Sequence, residues 1–164
     1  RIVFFDTLIK QLQAEETEAV LAHELGHFHH GHVKRQIVIM LLMSLIGFAL
    51  LGWASQQTWF YTGLGMEQAS SHAALTLFLL IMPAFTFVLT PMMSRFSRRN
   101  EFEADAYAVA NSNGAALISS LVKMYEDNAS TLTPDPLYSA WHDSHPPAPI
   151  RINHIEKCMS GSSL

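Results

Sequence analysis

Charge is scarce in this 164-residue chain. Only 15% of its residues are Asp, Glu, Lys or Arg, 49% are hydrophobic, and the mean hydropathy is positive. That balance suits a membrane protein better than a soluble enzyme. The net charge of −4 leaves no basic footprint, so nucleic acid is not an expected partner. Cysteine is reduced to Cys158, which excludes an internal disulfide framework and a thiolate-built zinc site. Six residues follow it, so it is not a C-terminal prenylation box. Initiator Met, signal-peptide pattern, internal repeat and low-complexity tract are all missing, and the expectation is a single domain belonging to a longer protein.

Charge is missing altogether from two runs, Ile37–Ala54 (18 residues) and Ala73–Met93 (21 residues). As helices they reach roughly 27 and 31 Å, close to the hydrocarbon thickness of a bilayer. A chain of this size can hardly bury two such helices on all sides, so they are expected to be membrane spans, with Pro83 kinking the second. Lys34 and Arg35 precede the first run, and Arg95, Arg98 and Arg99 follow the second. The loop between them, Ser55–His72, has no Lys or Arg. The positive-inside rule puts both flanks in the cytosol. A helical hairpin then brings the residues ahead of the first span beside those after the second.

What precedes the first span is rich in metal-binding side chains. His23-Glu24-Leu25-Gly26-His27 lies in a stretch, about Ala14 to Val33, that reads as a helix without a strong N-cap and with Glu15, Glu16 and Glu18 in its opening turns. Residues i and i+4 share a helix face about 5–6 Å apart, so His23 and His27 can hold one ion. Glu24 sits beside it, placed to take a proton from a bound water. His30 shares the face but is ~10.5 Å up the axis from His23. With His29 and His32 it reads as a surface or interfacial residue.

Two His need a third protein ligand to leave a catalytic zinc with one open position. The hairpin predicts it just after Arg99, where Asn100-Glu101-Phe102-Glu103-Ala104-Asp105 stands in a helical run ending near Asn113-Gly114. Glu101 and Asp105 share a face and Glu103 points elsewhere. Glu101 is the expected ligand, with Asp105 accepting the free ring N–H of a ligand His.

The remaining segments frame this centre. Arg1–Phe5 reads as an extended leader or as an edge strand, in which case Ile2, Val3, Phe4 and Phe5 would take a substrate peptide by strand addition. Asp6 or Thr7 can cap a short turn through Leu12. Leu117, Leu121 and Met124 recur at helical spacing between Gly114 and Glu126, a packing pattern. Asn128-Ala129-Ser130 matches a glycosylation sequon, expected unused on the cytosolic side, and Thr131–Pro136 is a turn-rich connector. A last helix is expected from about Pro147 to Lys157, with Arg151 in its opening turns and His145 just ahead. Two such donors near a zinc hydrolase site can stabilise an oxyanion.

These pieces together resemble the type I CaaX prenyl endopeptidases, integral-membrane gluzincins, and their cousins the membrane heat-shock metalloproteases. The matching stretches are Arg-Ile-Val-Phe-Phe-Asp-Thr-Leu (1–8), Glu-Ala-Val-Leu-Ala-His-Glu-Leu-Gly-His-Phe (18–28), Ser-Arg-Arg-Asn-Glu-Phe-Glu-Ala-Asp-Ala (97–106) and Ser-His-Pro-Pro (144–147) with Arg151. Trp141-His142-Asp143-Ser144-His145-Pro146-Pro147 favours the CaaX branch. The resemblance implies a mainly α, zincin-like membrane domain over 1–164, with spans at 37–54 and 73–93 and a helical C-terminal part at 97–158. It implies one zinc on His23, His27 and Glu101, Glu24 activating water, His145 and Arg151 assisting the transition state or substrate carboxylate, and Asp105 behind a ligand. It also implies a chamber completed by further N-terminal membrane helices, a prenylated peptide or protein substrate, and a cytosol-facing site in a bacterial inner membrane or the endoplasmic reticulum. Membrane-protein quality control is the alternative within the enzyme class. A zinc carrier or channel would need ionisable residues inside its spans, and Ile37–Ala54 offers only Ser44 as a polar side chain.

Overall fold

A computed structural model of the chain describes residues 10–127 and 134–161. The expected strand at 1–5, the Asp6/Thr7 cap, the sequon at 128–130 and most of the connector at 131–136 lie outside them. Among the described residues the fold is helical and contains no strand: α1 (Ala14–His29), α2 (His32–Ala54), α3 (Thr58–Thr62), α4 (Ser71–Asn111), α5 (Gly114–Asp127), α6 (Pro136–His142) and α7 (Ala148–Met159). Contacts group them into two compact units, 1–33 with 91–164, and 34–90.

In the 34–90 unit, Ala54, Phe60, Tyr61, Ala73, Ala74 and Leu77 form a small core, and the Tyr61 hydroxyl donates to the Ser55 carbonyl at 2.8 Å. α2 and α4 are long and apolar enough to cross a membrane. Only 6% of the apolar window of α2 and 17% of that of α4 is buried within the chain, whereas the core helix of a soluble protein would be mostly buried. α4 runs unbroken through Pro83 and Pro91.

The other unit holds the motifs. α1 begins at Gln13, whose backbone N–H donates to Glu16 Oε2 at 2.8 Å, so the weak start expected from the sequence is closed by a carboxylate three residues on. It ends earlier than expected, at His29 rather than Val33. Gly31 takes φ 66°, a left-handed conformation open to Gly at little steric cost, and the chain restarts as α2 at His32. Asn113 does not close α4 as expected. Its side chain accepts N–H bonds from Ala115 and Ala116 at 3.0 and 3.3 Å, capping α5 instead.

Small residues set the spacing. Ala19, Ala22, Ala108, Ala116, Leu117 and Ile155 form the core between α1, α4, α5 and α7. Gly26, inside the His-Glu-Leu-Gly-His run, lies against α4. A methyl group there would meet Ala104 Cα at 3.0 Å, the Ala104 carbonyl oxygen at 3.1 Å and Tyr107 Cβ at 3.1 Å. Glu16 ties α1 to α5, accepting from Lys123 Nζ at 2.7 Å and Ser119 Oγ at 2.6 Å. Arg98 Nη1 meets the carbonyls of Ser139, Ala140 and Asp143 at 3.3, 3.1 and 2.9 Å, and Ser94 Oγ donates to the Trp141 carbonyl at 3.1 Å. A guanidinium on the last carbonyls of α6 satisfies acceptors that the helix leaves open and fixes the loop that follows.

Two outcomes follow. Gly26→Ala must push on α4 backbone, so its apparent Tm should fall by the several degrees that about 1–3 kcal/mol of overpacking produces; a thermal melt coincident with wild type contradicts the close approach. The Lys123 ammonium, Ser119 hydroxyl and Gln13 amide hold Glu16 at about 2, below its ordinary 4.5. Its stabilisation is therefore full above pH ~4.5 and fades as pH falls towards 2. The stability gap between wild type and Glu16→Gln should shrink across that window, and a gap constant with pH is the contrary result.

Candidate metal centre

His23 and His27 lie one turn apart on α1, and Glu101 reaches them from α4. His23 Nε2 and His27 Nε2 are 3.2 Å apart. Glu101 Oε2 lies 3.7 Å from His23 Nε2, and Oε1 lies 3.5 Å from His27 Nε2. Among the described residues these three groups can hold a metal ion, with one ligand atom from each and all within 4.8 Å of one another. Tetrahedral ligands about 2.0–2.1 Å from a zinc-sized ion stand roughly 3.4 Å apart. The two imidazole nitrogens are already at about that spacing, and each Glu101 oxygen lies within 4 Å of one of them, so small side-chain adjustments converge the three groups on such an ion.

The second ring nitrogen of His23 faces a carboxylate. Nδ1 is 2.9 Å from Asp105 Oδ1, and Asp105 is fully buried. Arg151 explains how that charge is tolerated. It gives a fork to Asp105, Nε to Oδ2 at 2.9 Å and Nη2 to Oδ1, while Nη1 lies 3.3 Å from Glu101 Oε2. Burial would raise the Asp105 carboxyl, but His23 and Arg151 outweigh it and hold it below its ordinary value. Burial acts likewise on Glu101, where the hydrogen bond from His145 and the Arg151 charge win and hold the carboxyl well below the usual range. Both carboxylates are thus anionic at neutral pH.

His145 Nδ1 lies 3.1 Å from Glu101 Oε2, which raises the imidazole above its ordinary value. Its side chain is 65% exposed and lines an open cleft of about 800 Å³ with Tyr125, Tyr138, His142 and Asp143. The Arg98 contacts on α6 and a Tyr125 hydroxyl 3.4 Å from the Pro146 carbonyl hold the loop that carries it. Glu24 is solvent-exposed on α1, one residue from His23. So His145 and Arg151 lie against Glu101, Glu24 follows His23 on the exposed side of α1, and Ile2 to Phe5 lie outside the described residues.

One residue departs from expectation. His32, read from the sequence as a surface or interfacial residue, is only 3% exposed. Its Nδ1 is 2.9 Å from His27 Nδ1, and its Nε2 is 3.0 Å from Glu103 Oε2. Glu103 does point away from the ligands, towards His32 and Arg99 Nε at 2.9 Å. The only sequence signal for this was Gly31, which ends α1 and lets the chain turn His32 back onto His27. His29 and His30 are exposed, as expected.

The model of peptidase family M48 matches residues 1–159. A CAAX prenyl protease 1 homolog of Dictyostelium discoideum is 35% identical over 164 residues, 96% of this chain and 37% of that protein. CAAX prenyl protease 1 of Saccharomyces cerevisiae is 32% identical over 171 residues, 95% of this chain and 38% of that protein. The crystal structure of S. mikatae Ste24p aligns with a TM-score of 0.81 at 31% identity, over 94% of this chain and 38% of that one. The chain spans somewhat more than a third of the length of these relatives. Its match to the family model over nearly every residue, with the cluster set on two of its helices, makes it a member of peptidase family M48.

Proposed function

We propose that the chain carries the catalytic centre of an integral-membrane zinc metalloendopeptidase that removes the C-terminal tripeptide after a prenylated cysteine. The observation behind this reading is the His23–His27–Glu101 cluster, with one ligand atom from each residue within 4.8 Å of the others. The names of the relatives, CAAX prenyl proteases, support the substrate class. The α2 and α4 windows support placement in a bilayer, with spans near 37–54 and 73–93. The basic residues flanking them favour a cytosol-facing site, in a bacterial inner membrane or the endoplasmic reticulum. Residues 1–164 act as one catalytic domain in this reading, and helices from the rest of the longer protein complete its chamber.

The donor set of two neutral imidazoles and one carboxylate suits zinc, one ion per chain. Zinc bound there supplies Lewis acidity, lowering the pKa of water and polarising a scissile carbonyl. Glu24, a free carboxylate beside the ligands, accepts the proton of the attacking water and later delivers it to the leaving amine. His145, set against Glu101, faces the cleft and donates to the oxyanion or to the substrate carboxylate. Arg151 adds its charge at the same place while bracing Asp105 and Glu101. Asp105 accepts the Nδ1–H of His23, which leaves Nε2 its lone pair for the metal. Ile2, Val3, Phe4 and Phe5 would take the substrate peptide as an added strand.

The test uses the intact protein in detergent with zinc, a farnesylated CaaX peptide and its unprenylated twin. Cleavage confined to the prenylated peptide is expected; equal cleavage of both would replace this reading with general membrane-protein proteolysis. Glu24→Ala should lower turnover by about 10²–10⁴ while keeping its zinc, since Glu24 is not a ligand. Loss of zinc from Glu24→Ala, by elemental analysis, would overturn that role.

A further inference from the structure

We propose that His32 is a positioning residue for the ligand His27, acting through a hydrogen-bonded relay that runs His27, His32, Glu103, Arg99. The inference rests on the zinc reading above and extends it to residues outside the ligand set. His32 begins α2, five residues after His27, and the left-handed Gly31 turn folds it back onto the end of α1. It is buried, and both its ring nitrogens are engaged, Nδ1 with His27 Nδ1 at 2.9 Å and Nε2 with Glu103 Oε2 at 3.0 Å.

Proton accounting fixes the direction. His27 Nε2 faces His23 and Glu101 and must present a lone pair to an ion. The one proton of a neutral imidazole therefore sits on Nδ1. Nδ1–H donates to His32 Nδ1, which must be unprotonated, so the proton of His32 sits on Nε2. Nε2–H donates to Glu103 Oε2, and Glu103 Oε1 accepts from Arg99 Nε at 2.9 Å. Every group has one role. Reversing the His32 tautomer would set two N–H groups against each other and aim a lone pair at a carboxylate.

The two ligand imidazoles are then backed in parallel. Asp105 accepts from His23 directly at 2.9 Å, and Glu103, two residues earlier on α4, backs His27 through the His32 ring. Loss of such a partner weakens metal binding by about 10–100-fold. A His buried only to fill space would be replaceable by any ring of similar size.

Zinc affinity of the intact protein, measured by chelator competition, separates these roles, with the visible spectrum of the cobalt-substituted protein as a second readout. His32→Phe fills the space but cannot accept; zinc should bind about 10–100-fold more weakly and the cobalt bands should shift. His32→Asn places an amide oxygen near the position of Nδ1 and should recover most of the affinity. Glu103→Ala, a partly exposed change that leaves the core intact, should weaken zinc in the same direction by less, and it decides the matter if His32→Phe does not fold. Unchanged affinity and cobalt spectrum in Glu103→Ala and His32→Phe, or an Asn variant as weak as Phe, would overturn the inference. A wild-type protein that binds no zinc would overturn the metal reading itself.

Discussion

Two imidazoles and a carboxylate from different helices can share an ion only if those helices lie close enough for their side chains to converge. Gly26 is where that happens. With nothing larger than hydrogen at its Cα, α1 lies against Ala104 of α4, three residues past Glu101. The two imidazole nitrogens stand 3.2 Å apart, and each Glu101 oxygen lies within 4 Å of one of them, as a consequence of that contact. The buried alanines of the same core, Ala19, Ala22 and Ala108, serve the same closeness, so packing and chemistry here are one constraint.

Close packing alone would leave three polar groups aimed at one point with nothing to hold their orientation. The rest of the unit supplies it. Asp105 and Arg151 fix His23, the His32–Glu103 pair fixes the far side of His27, and Arg98 on the end of α6 fixes the loop that presents His145. Asp105 would be costly to bury as an isolated anion. With His23 and a forked guanidinium on its oxygens it becomes the anchor of the site.

Local spacing was the legible part. The i, i+4 pairs His23/His27 and Glu101/Asp105 announce shared faces, and the basic flanks of two uncharged runs announce which segments meet. The partnership of His32 with Glu103 spans 71 residues and no periodicity reports it. The same holds for Arg98 on the α6 carbonyls, more than 40 residues away. Asn113 was legible as a helix boundary but not as the boundary of which helix, because Asn serves either end and only its bonds to Ala115 and Ala116 decide. Gly31 shortened α1 through a backbone conformation that residue type permits without requiring.

One zinc held by two imidazoles and one carboxylate is the arrangement on which the proposed chemistry depends. X-ray absorption at the zinc edge of the intact protein tests it most directly. Two imidazole nitrogens about 2.0–2.1 Å from the metal are expected, with the remaining ligands oxygen at about 2.0–2.2 Å. Three imidazoles, or a sulfur at about 2.3 Å from Cys158, would contradict it.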